Sequence, residues 1–356
     1  MNAGAAMRRL IFAVLFALLA GTVATQACDK PQQMDGFKTC ADVATAEKEG
    51  ALVVYATDPE AATEAVLAKF RAAFPKIKPT YLRLQGGALY ARLMSERQGH
   101  AYLADVLQPS DMGFALDFQK RGGYMPYVSP EMAAYKPEYK SQPEGNWTWG
   151  ALVIAAIAYN PNLVTKAEAP KTWLEAMDPK WTEAISVKVS NSGLQHVEWY
   201  VLRQLYGNDF WQKLAPLKPY AFDSYVQQFD RLVNGQDKVA LTAQYSGYLI
   251  LKAKGAPVEF VYPPDGLIAT AEPWGVIKEA PHPEAAKLFL DWFLGVPGQT
   301  ENAKALFYNS LRADVPPPPG GVNASQFKLL FPQDWHDFEQ SHTQFVREWD
   351  KLTGLR

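Results

Sequence analysis

The sequence predicts a protein of mixed α/β class built from two similar halves. Strand-like and helix-like stretches alternate along most of its 356 residues, as in proteins whose sheets are largely parallel. The alternation pauses at "PEGNWTWG", residues 143–150, and then begins again with a long apolar strand. A second junction near residue 265 would return the chain to the first half. We therefore expect two α/β lobes, joined by crossing strands, with a cleft between them.

Three strand-and-helix units make up the first half. The first unit has a buried strand followed by a helix whose apolar side chains recur every four residues. Asp58 could cap this helix, and Pro59 suits its first turn because proline has no N–H to leave unbonded. The second unit carries Gly86-Gly87 where its strand meets its helix, and in the third we expect Ser110 to be the helix cap.

The second half repeats the scheme. An apolar strand at residues 151–159 precedes a helix predicted within residues 169–179. A later strand leads into "SNSG", residues 190–193, and then into an apolar helix. Another strand turns into a helix at Gln244 and Tyr245, and residues 333–352 have the pattern of a final amphipathic helix.

Residues 1–27 have the order of a secretory signal peptide: a basic start, an apolar run and small residues. The apolar run is too short to cross a bilayer, which needs about 20 residues. We therefore expect cleavage and export. Cys28 and Cys40 lie just past the cleavage point, and in an oxidising compartment such a pair is expected to form a disulfide. Lipidation of Cys28 is the alternative.

Several classes of function have no support in the sequence. The net charge is −2 and the charged residues are scattered along the chain, so we expect no nucleic-acid partner. The five histidines do not form H-E-x-x-H and no G-x-x-x-x-G-K-[ST] motif is present, so neither a catalytic zinc site nor an ATPase is expected. Ser192 with His196 could form a hydrolase pair, but "SNSG" is not the G-x-S-x-G elbow. We expect no enzymatic activity and no cofactor.

Two stretches carry a family resemblance: "PKTWLEAMDPKW" and the run from "GAPVEFVYPPDG" to "GVPGQ". From about Glu49 to Gln299, the chain resembles the extracellular solute-binding proteins of bacterial ABC importers, in the branch that includes ferric-ion-binding proteins. The resemblance implies a periplasmic monomer of type II fold whose lobes close on one small ligand. Its partners would be a permease and an ATPase at the inner membrane.

The resemblance also suggests where the two lobes lie in the chain. Residues 28–148 and 265–320 would form the first lobe and residues 149–264 the second. Residues 321–356 would be a helical segment packed on both lobes.

Ligands of open α/β sheets collect at the carboxyl ends of strands, where helix N-termini offer free N–H groups. The polar turns and flanking aromatic residues at those ends give our candidate ligand residues: Asp58, Arg83, Gly87, Gln108, Ser110, Trp149, Ser190, Asn191, Ser192, Gly193, Gln244 and Tyr245. Hydroxyls, amides and glycines there suit an anionic or hydroxylated solute, such as a sugar phosphate, a phosphonate or a carboxylate. Asp58 would instead suit an ammonium group or sugar hydroxyls.

Ferric iron is the alternative ligand. Iron-binding members of the branch use two adjacent tyrosines, a carboxylate and often a histidine, which suit a hard cation. Here the tyrosine position reads Gln244-Tyr245-Ser246, the carboxylate falls near Ser110, and the histidine falls near Asp58. We therefore expect no metal site, with Tyr245 as the retained ligand if iron does bind.

Overall fold

A computed structural model describes residues 28–189, 193–222 and 224–355. The signal peptide predicted at residues 1–27 lies outside the described residues, as do Ser190, Asn191 and Ser192. The strands are β1 Gln32–Gln33, β2 Lys38–Thr39, β3 Ala51–Ala56, β4 Lys78–Arg83, β5 Val106–Gln108, β6 Thr148–Tyr159, β7 Ile185–Lys188, β8 Tyr220–Phe222, β9 Val239–Gln244, β10 Glu259–Val261, β11 Leu267–Val276 and β12 Leu329–Leu330. The helices are α1 Val43–Glu49, α2 Glu60–Ala73, α3 Gly86–Gln98, α4 Met112–Lys120, α5 Leu194–Tyr206, α6 Asn208–Gln212, α7 Tyr225–Val233, α8 Tyr245–Ala253, α9 Pro283–Leu294, α10 Val296–Leu306 and α11 Trp335–Thr353.

One continuous sheet runs through both halves in the order β4-β3-β5-β11-β6-β9-β7-β8, with β10 paired to β6 and β12 to β11. Strands β3, β4 and β5 are parallel to one another, and so are β7, β8 and β9. Between these two groups, β6 and β11 run antiparallel to each other and to the strands on either side. The prediction of a two-lobed α/β fold with crossing strands is confirmed.

The two crossing strands are buried along their whole length. Their cover comes from helices, since α5 packs on both strands and α9 and α4 pack on β11. Strands covered on both faces need apolar side chains on both, which explains why residues 151–159 form a continuous apolar run without alternation. A carboxylate in such a strand is costly unless it has a partner, and β11 contains one, Glu272.

Both predicted helix caps are wrong. At the start of α2 the cap position is Pro59, with no side-chain cap hydrogen bond, because the helix begins after the proline and Asp58 turns elsewhere. At the start of α4 the cap is Asp111, whose Oδ1 accepts from Gly113 N at 2.8 Å. The acidic side chain directly before the helix is better placed to accept from its first N–H groups than Ser110, one residue earlier.

The helix predicted within residues 169–179 is also wrong. In its place are two 3-10 turns, Glu175–Met177 and Pro179–Trp181. Pro179 disfavours helical backbone at the residue before it, so the segment cannot continue as one α-helix. The final amphipathic helix is confirmed as α11, which packs on α6 of the second half and α4 of the first. Within the described ranges, no helix combines the length and the apolar character that a membrane crossing requires.

The disulfide between Cys28 and Cys40 is confirmed, with the two Cα atoms 5.8 Å apart. Its neighbour in space is the buried Asp291 of α9. The Oδ2 atom of Asp291 accepts from Thr39 Oγ1 at 2.6 Å and from Cys40 N at 3.1 Å. These bonds fasten the cross-linked N-terminal segment to a core helix of the first half.

Candidate ligand site between the two lobes

The crossing strands present a shared face to the space between the halves. Val153 of β6 is paired with Thr270 of β11, and Ala155 is paired with Gln244 at the end of β9. Side chains of paired residues lie on the same face, and so do alternate residues of one strand. Glu272, two residues beyond Thr270, therefore shares this face with Gln244.

The start of α5 covers that face. Leu194 packs on Val153 and Ala155, and the rings of Tyr225 and Tyr308 pack on the same cluster. Glu198 lies four residues after Leu194, so both side chains project from one side of α5. The carboxyl group of Glu198 is fully buried and accepts a long hydrogen bond, 3.4 Å, from Tyr225 Oη.

Asp58 completes the group from the first half. It follows β3, and its carboxyl group is hydrogen-bonded to that of Glu272. Each residue is 5% exposed. Burial raises the pKa of Asp58 to about 6, while burial and the nearby Asp58 charge raise the pKa of Glu272 well above its ordinary value. Two carboxyl groups bond to each other only when one is protonated, so the raised pKa values of both groups favour a shared proton.

Two tyrosines lie beside these acids. Tyr308 is hydrogen-bonded to Gln244, and burial, followed by the charges of Glu272 and Asp58, raises its pKa well above the ordinary value. The pKa of Tyr225 is raised in the same way, first by burial and then by Glu198. Both phenols therefore stay protonated at neutral pH and can donate hydrogen bonds. We call the set Asp58, Glu198, Tyr225, Gln244, Glu272 and Tyr308 the interlobe site.

Positive charge reaches the interlobe site from its edge. The charge of the exposed Arg83 lowers the pKa of Asp58 and so opposes the effect of burial. Lys188, at the end of β7, likewise lowers the pKa of Glu198. Its Nζ lies 5.0 Å from the centre of the Tyr225 ring. In both cases burial is the larger influence on the carboxyl pKa. The interior is therefore acidic and the edge basic.

Some buried polar atoms near the interlobe site have no hydrogen-bond partner within the described part of the chain. Nε2 of Gln108 is one of them, whereas the carboxyl groups of Glu272 and Glu198 are bonded to Asp58 and Thr242. Leaving a buried polar atom unpaired costs about 1–3 kcal/mol, so native proteins rarely keep such atoms without a functional reason.

The structure brings several of the sequence-predicted residues to this region. Asp58 and Gln244 belong to the interlobe site, and Arg83 lies at its edge. Gln108 supports the turn after β3, because its Oε1 accepts from Thr57 N at 2.7 Å. A Cβ atom on Gly193 would lie 3.8 Å from the Ser110 carbonyl oxygen, so these two turns, from opposite halves, meet.

Other predicted residues lie elsewhere. Trp149 stacks on Tyr139 with ring centres 5.2 Å apart, under the first turn of α11. Tyr245 is 2% exposed in an aromatic cluster with Phe260 and Phe327, and its hydroxyl accepts from Val322 N at 3.3 Å. Gly87 is exposed on α3. Ligand contact by these three residues remains a prediction.

Sequence reasoning missed four members of the interlobe site: Glu198, Tyr225, Glu272 and Tyr308. Two of them carried a usable signal. Glu198 and Glu272 are single acids inside apolar runs, "LQHVEWYVL" and "LIATAEPWGV", and a buried unpaired acid is rare without a function. The two tyrosines lie outside any motif, and only the fold brings them together.

Comparison with known proteins gives consistent matches. Residues 102–319 match the model of the family described as bacterial extracellular solute-binding protein. The chain is 26% identical over 296 residues to iron uptake protein A1 of Synechocystis sp., covering 77% of this chain and 78% of that protein.

Solved structures with a similar fold include iron-bound HitA from Pseudomonas aeruginosa, with a TM-score of 0.73, 19% identity, and coverage of 85% of this chain and 99% of that chain. AfuA from Actinobacillus pleuropneumoniae, a periplasmic binding protein with fructose-6-phosphate bound, has a TM-score of 0.71 and 20% identity, covering 86% and 99%.

Proposed function

The chain belongs to the family of bacterial extracellular solute-binding proteins, and we propose that its interlobe site captures a small polar organic solute for an ABC importer. Proteins of this kind bind small solutes and pass them to a permease driven by an ATPase. The family describes transport proteins, not enzymes, and its extracellular character suggests a periplasmic location. Delivery to a permease by this chain is part of the proposal.

One observation carries the proposal: polar side chains from both halves lie buried along the face that the two crossing strands share. Asp58 comes from the first half, Glu198 and Tyr225 from the second, and Glu272 from a crossing strand. A solute held there would be enclosed by both lobes, which is how a cleft protein excludes water from its ligand. The carboxyl, phenol and amide groups could satisfy the hydroxyl or ammonium groups of such a solute.

The anionic ligand predicted from the sequence depends on a different feature. Its main support was the turn at Ser190, Asn191 and Ser192, which lies outside the described residues. Lys188 at the edge of the interlobe site could pair with an acidic group of the solute, and Arg83 could do the same. An acidic group on the solute is therefore proposed for the edge, and hydroxyl or other donor groups for the interior.

Ferric iron is a second candidate, favoured by the oxygen donors of the interlobe site, since phenols and carboxyls suit a hard cation. One observation weighs against it. No three His, Cys, Asp or Glu side chains of the described residues are grouped so that they could hold a metal ion.

The hydrolase alternative finds no support in the structure. The His196 ring is fully buried and lies 4.2 Å, centre to centre, from the ring of Phe338. A catalytic base must reach the proton that it removes, and aromatic rings surround this one.

A thermal-shift screen tests the proposal. The chain is unfolded and refolded to remove bound solute, then heated with sugar phosphates, phosphonates, carboxylates, polyamines or ferric citrate. A ligand at about 100 times its Kd adds about 2.7 kcal/mol of stability, which moves Tm by several degrees. Glu272→Gln should abolish the shift, and Glu64→Gln, at an exposed carboxylate, should keep it.

The outcomes separate the candidates. A shift with an organic class that disappears in Glu272→Gln supports the proposal. A shift with ferric citrate alone, accompanied by the visible absorption of iron–phenolate bonds, establishes the second candidate in its place. The absence of a shift with every class contradicts the proposed function.

A further inference from the structure

The last helix, α11, touches both halves of the chain. It lies beyond residues 102–319, the part of the chain that matches the family model. It packs on α6 of the second half and on α4 of the first. Its first residue, Trp335, packs edge-on against Trp149 at the start of the crossing strand β6, with the ring centres 5.9 Å apart. One helix therefore contacts both lobes and a strand that joins them.

The contact of α11 with the second half is tight and apolar. Phe338, Phe345 and Trp349 of α11 are buried. The ring of Phe338 lies 4.2 Å, centre to centre, from that of His196 in α5. The ring of Trp349 lies 4.4 Å from that of Trp199, also in α5. Separating these rings would return a large apolar area to water, so we expect α11 to move together with the second lobe.

The contact of α11 with the first half is small and polar. Glu339 lies where α11 meets α4, and its Cγ would be 3.5 Å from a Cβ atom placed on Gly113. Beside this contact a surface cavity of about 790 Å³ lies between the two helices. A contact with so little packing holds less tightly than the aromatic contact with α5.

Like charges face each other across the contact with α4. Burial raises the pKa of Glu339, and the negative charges of Asp117 and Asp111 raise it further. His336 and Lys120 oppose this effect with positive charge. The acids of α4 and the acid of α11 therefore repel each other, which makes this contact the one that separates first.

The contact with α4 lies where the two lobes approach each other. Gly113 is the second residue of α4 and His196 is the third residue of α5. These helices follow the turns at Ser110 and Gly193, which meet across the cleft. An opening of the cleft would move α4 away from α5, and Gly113 would then move away from Glu339.

We propose that α11 is a strap that stays on the second lobe and docks on α4 only when the two lobes are closed. The contact between Gly113 and Glu339 must then break before the cleft can open and release its solute. This inference goes beyond the proposed function, because it concerns the movement of the lobes and can be tested on the chain without a solute.

A disulfide across the contact tests whether the strap docks. Gly113→Cys with Glu339→Cys places two thiols at a distance that a disulfide can span, since bridged Cβ atoms lie about 3.5–4.5 Å apart. We expect this pair to cross-link on mild oxidation. The control pair is Gly113→Cys with Gln344→Cys. Gln344 is exposed on α11 and lies about 140° around the helix from Glu339, so this pair should stay reduced.

Small-angle X-ray scattering of the refolded full chain tests whether the strap controls opening. The cross-linked variant should have a smaller radius of gyration than the same variant with its two new thiols alkylated before oxidation, because only the alkylated form can open.

A charge variant tests the same point without new cysteines. Glu339→Lys replaces repulsion by attraction to Asp111 and Asp117, so it should also decrease the radius of gyration at low ionic strength. Glu64→Lys makes the same change of charge at an exposed residue of α2 and should have no effect.

The outcomes are distinct. Cross-linking of the first pair alone, together with the smaller radius of gyration, supports the strap. Failure of that pair to cross-link overturns the inference. Equal radii for the cross-linked and alkylated forms also overturn it, since α11 would then be a fixed brace. Neither measurement uses a solute, so a failure of the proposed function in the thermal-shift screen is a separate result.

Discussion

The carboxyl group of Asp58, just beyond the end of β3, is hydrogen-bonded to that of Glu272, inside the crossing strand β11. The bond joins the turn that carries Asp58 to the strand that links the two halves. Both groups are almost fully buried, so their protonation depends on what lies beside them. Protonation and stability are therefore linked at one place, and this linkage underlies the first prediction.

Glu272→Gln should stabilise the ligand-free chain at pH 8 and leave it nearly unchanged at pH 4. An acid whose pKa is raised by folding contributes stability that is fully present below its unfolded pKa, about 4, and is lost as pH rises through the folded value. For Asp58 the loss falls between about 4 and about 6, and for Glu272 it continues higher. The neutral amide avoids that loss, so we expect a gain in stability at pH 8.

Differential scanning calorimetry at both pH values checks this prediction, with Glu64→Gln as the surface control. A variant that is stabilised at pH 8 yet cannot bind solute would show that function keeps a costly acid in the core. Equal stability changes at pH 4 and pH 8, or a loss at pH 8, would contradict the linkage.

Gly193→Ala and Gly207→Ala should cost similar stability but differ in their effect on binding. Both glycines have positive φ, +59° and +70°, where a side chain adds about 1–3 kcal/mol of backbone strain. Neither added Cβ would clash, since the nearest atom to that of Gly193 is 3.8 Å away and none lies within 4 Å of that of Gly207. Gly193 meets Ser110 where the halves approach, whereas Gly207 joins α5 to α6.

Denaturant unfolding and calorimetry with the bound solute measure the two effects. We expect both variants to lose stability and only Gly193→Ala to lose affinity. Parallel losses of affinity in the two variants would mean that the turn at Gly193 has no special part in holding the solute.

His196→Phe should protect the chain from acid. The pKa of His196 is lowered to about 3, mainly by burial and then by His342 and Arg203. A base with a lowered pKa contributes stability that is fully present above its unfolded value, about 6.5, and is lost as pH falls towards the folded value. At pH 4 the loss is about 3 kcal/mol at 1.4 kcal/mol per unit, and phenylalanine would remove it.

Thermal unfolding at pH 4 and pH 8 distinguishes the cases. The variant should be more stable than the unchanged chain at pH 4 and similar to it at pH 8. His336→Gln is the control, because His336 is exposed on α11. If His196→Phe and the unchanged chain lose stability equally on acidification, His196 is not the acid-sensitive group.

Replacing both Cys28 and Cys40 by serine should lower the free energy of unfolding by about 3 kcal/mol, the cost of freeing a short closed loop in the unfolded chain. Solute affinity should not change, because the disulfide lies beside Asp291, outside the interlobe site. Urea unfolding with and without reductant measures the effect. A reductant should destabilise the unchanged chain and leave the double variant unaffected; the reverse pattern would contradict a stabilising disulfide.

The two-lobed fold could be predicted because strand and helix periodicity is local information. The apolar run at residues 151–159 is a buried strand wherever it lies, and the pause before it marks the junction. The errors occurred where a single residue decides the geometry. Asp58 looked like a cap because aspartate suits that position, but the helix starts after Pro59 and frees its side chain to meet Glu272.

Most residues of the interlobe site could not be predicted from the sequence. Residues 58, 198 and 272 are far apart in the chain, and pairing of Asp58 with Glu272 follows from sheet order, which no local pattern specifies. Trp149 and Tyr245 illustrate the converse. An aromatic residue at a strand end can line a ligand or complete a core, and its local sequence is the same in both cases.

Native mass spectrometry of the chain, purified in native form without refolding, tests the central claim most directly. We expect a small organic molecule bound to the unchanged chain and to Glu64→Gln, released by denaturation and missing from Glu272→Gln. Its fragmentation would identify its charged and hydroxyl groups. A chain that carries no small molecule, or one that Glu272→Gln retains equally, would contradict solute capture at the interlobe site.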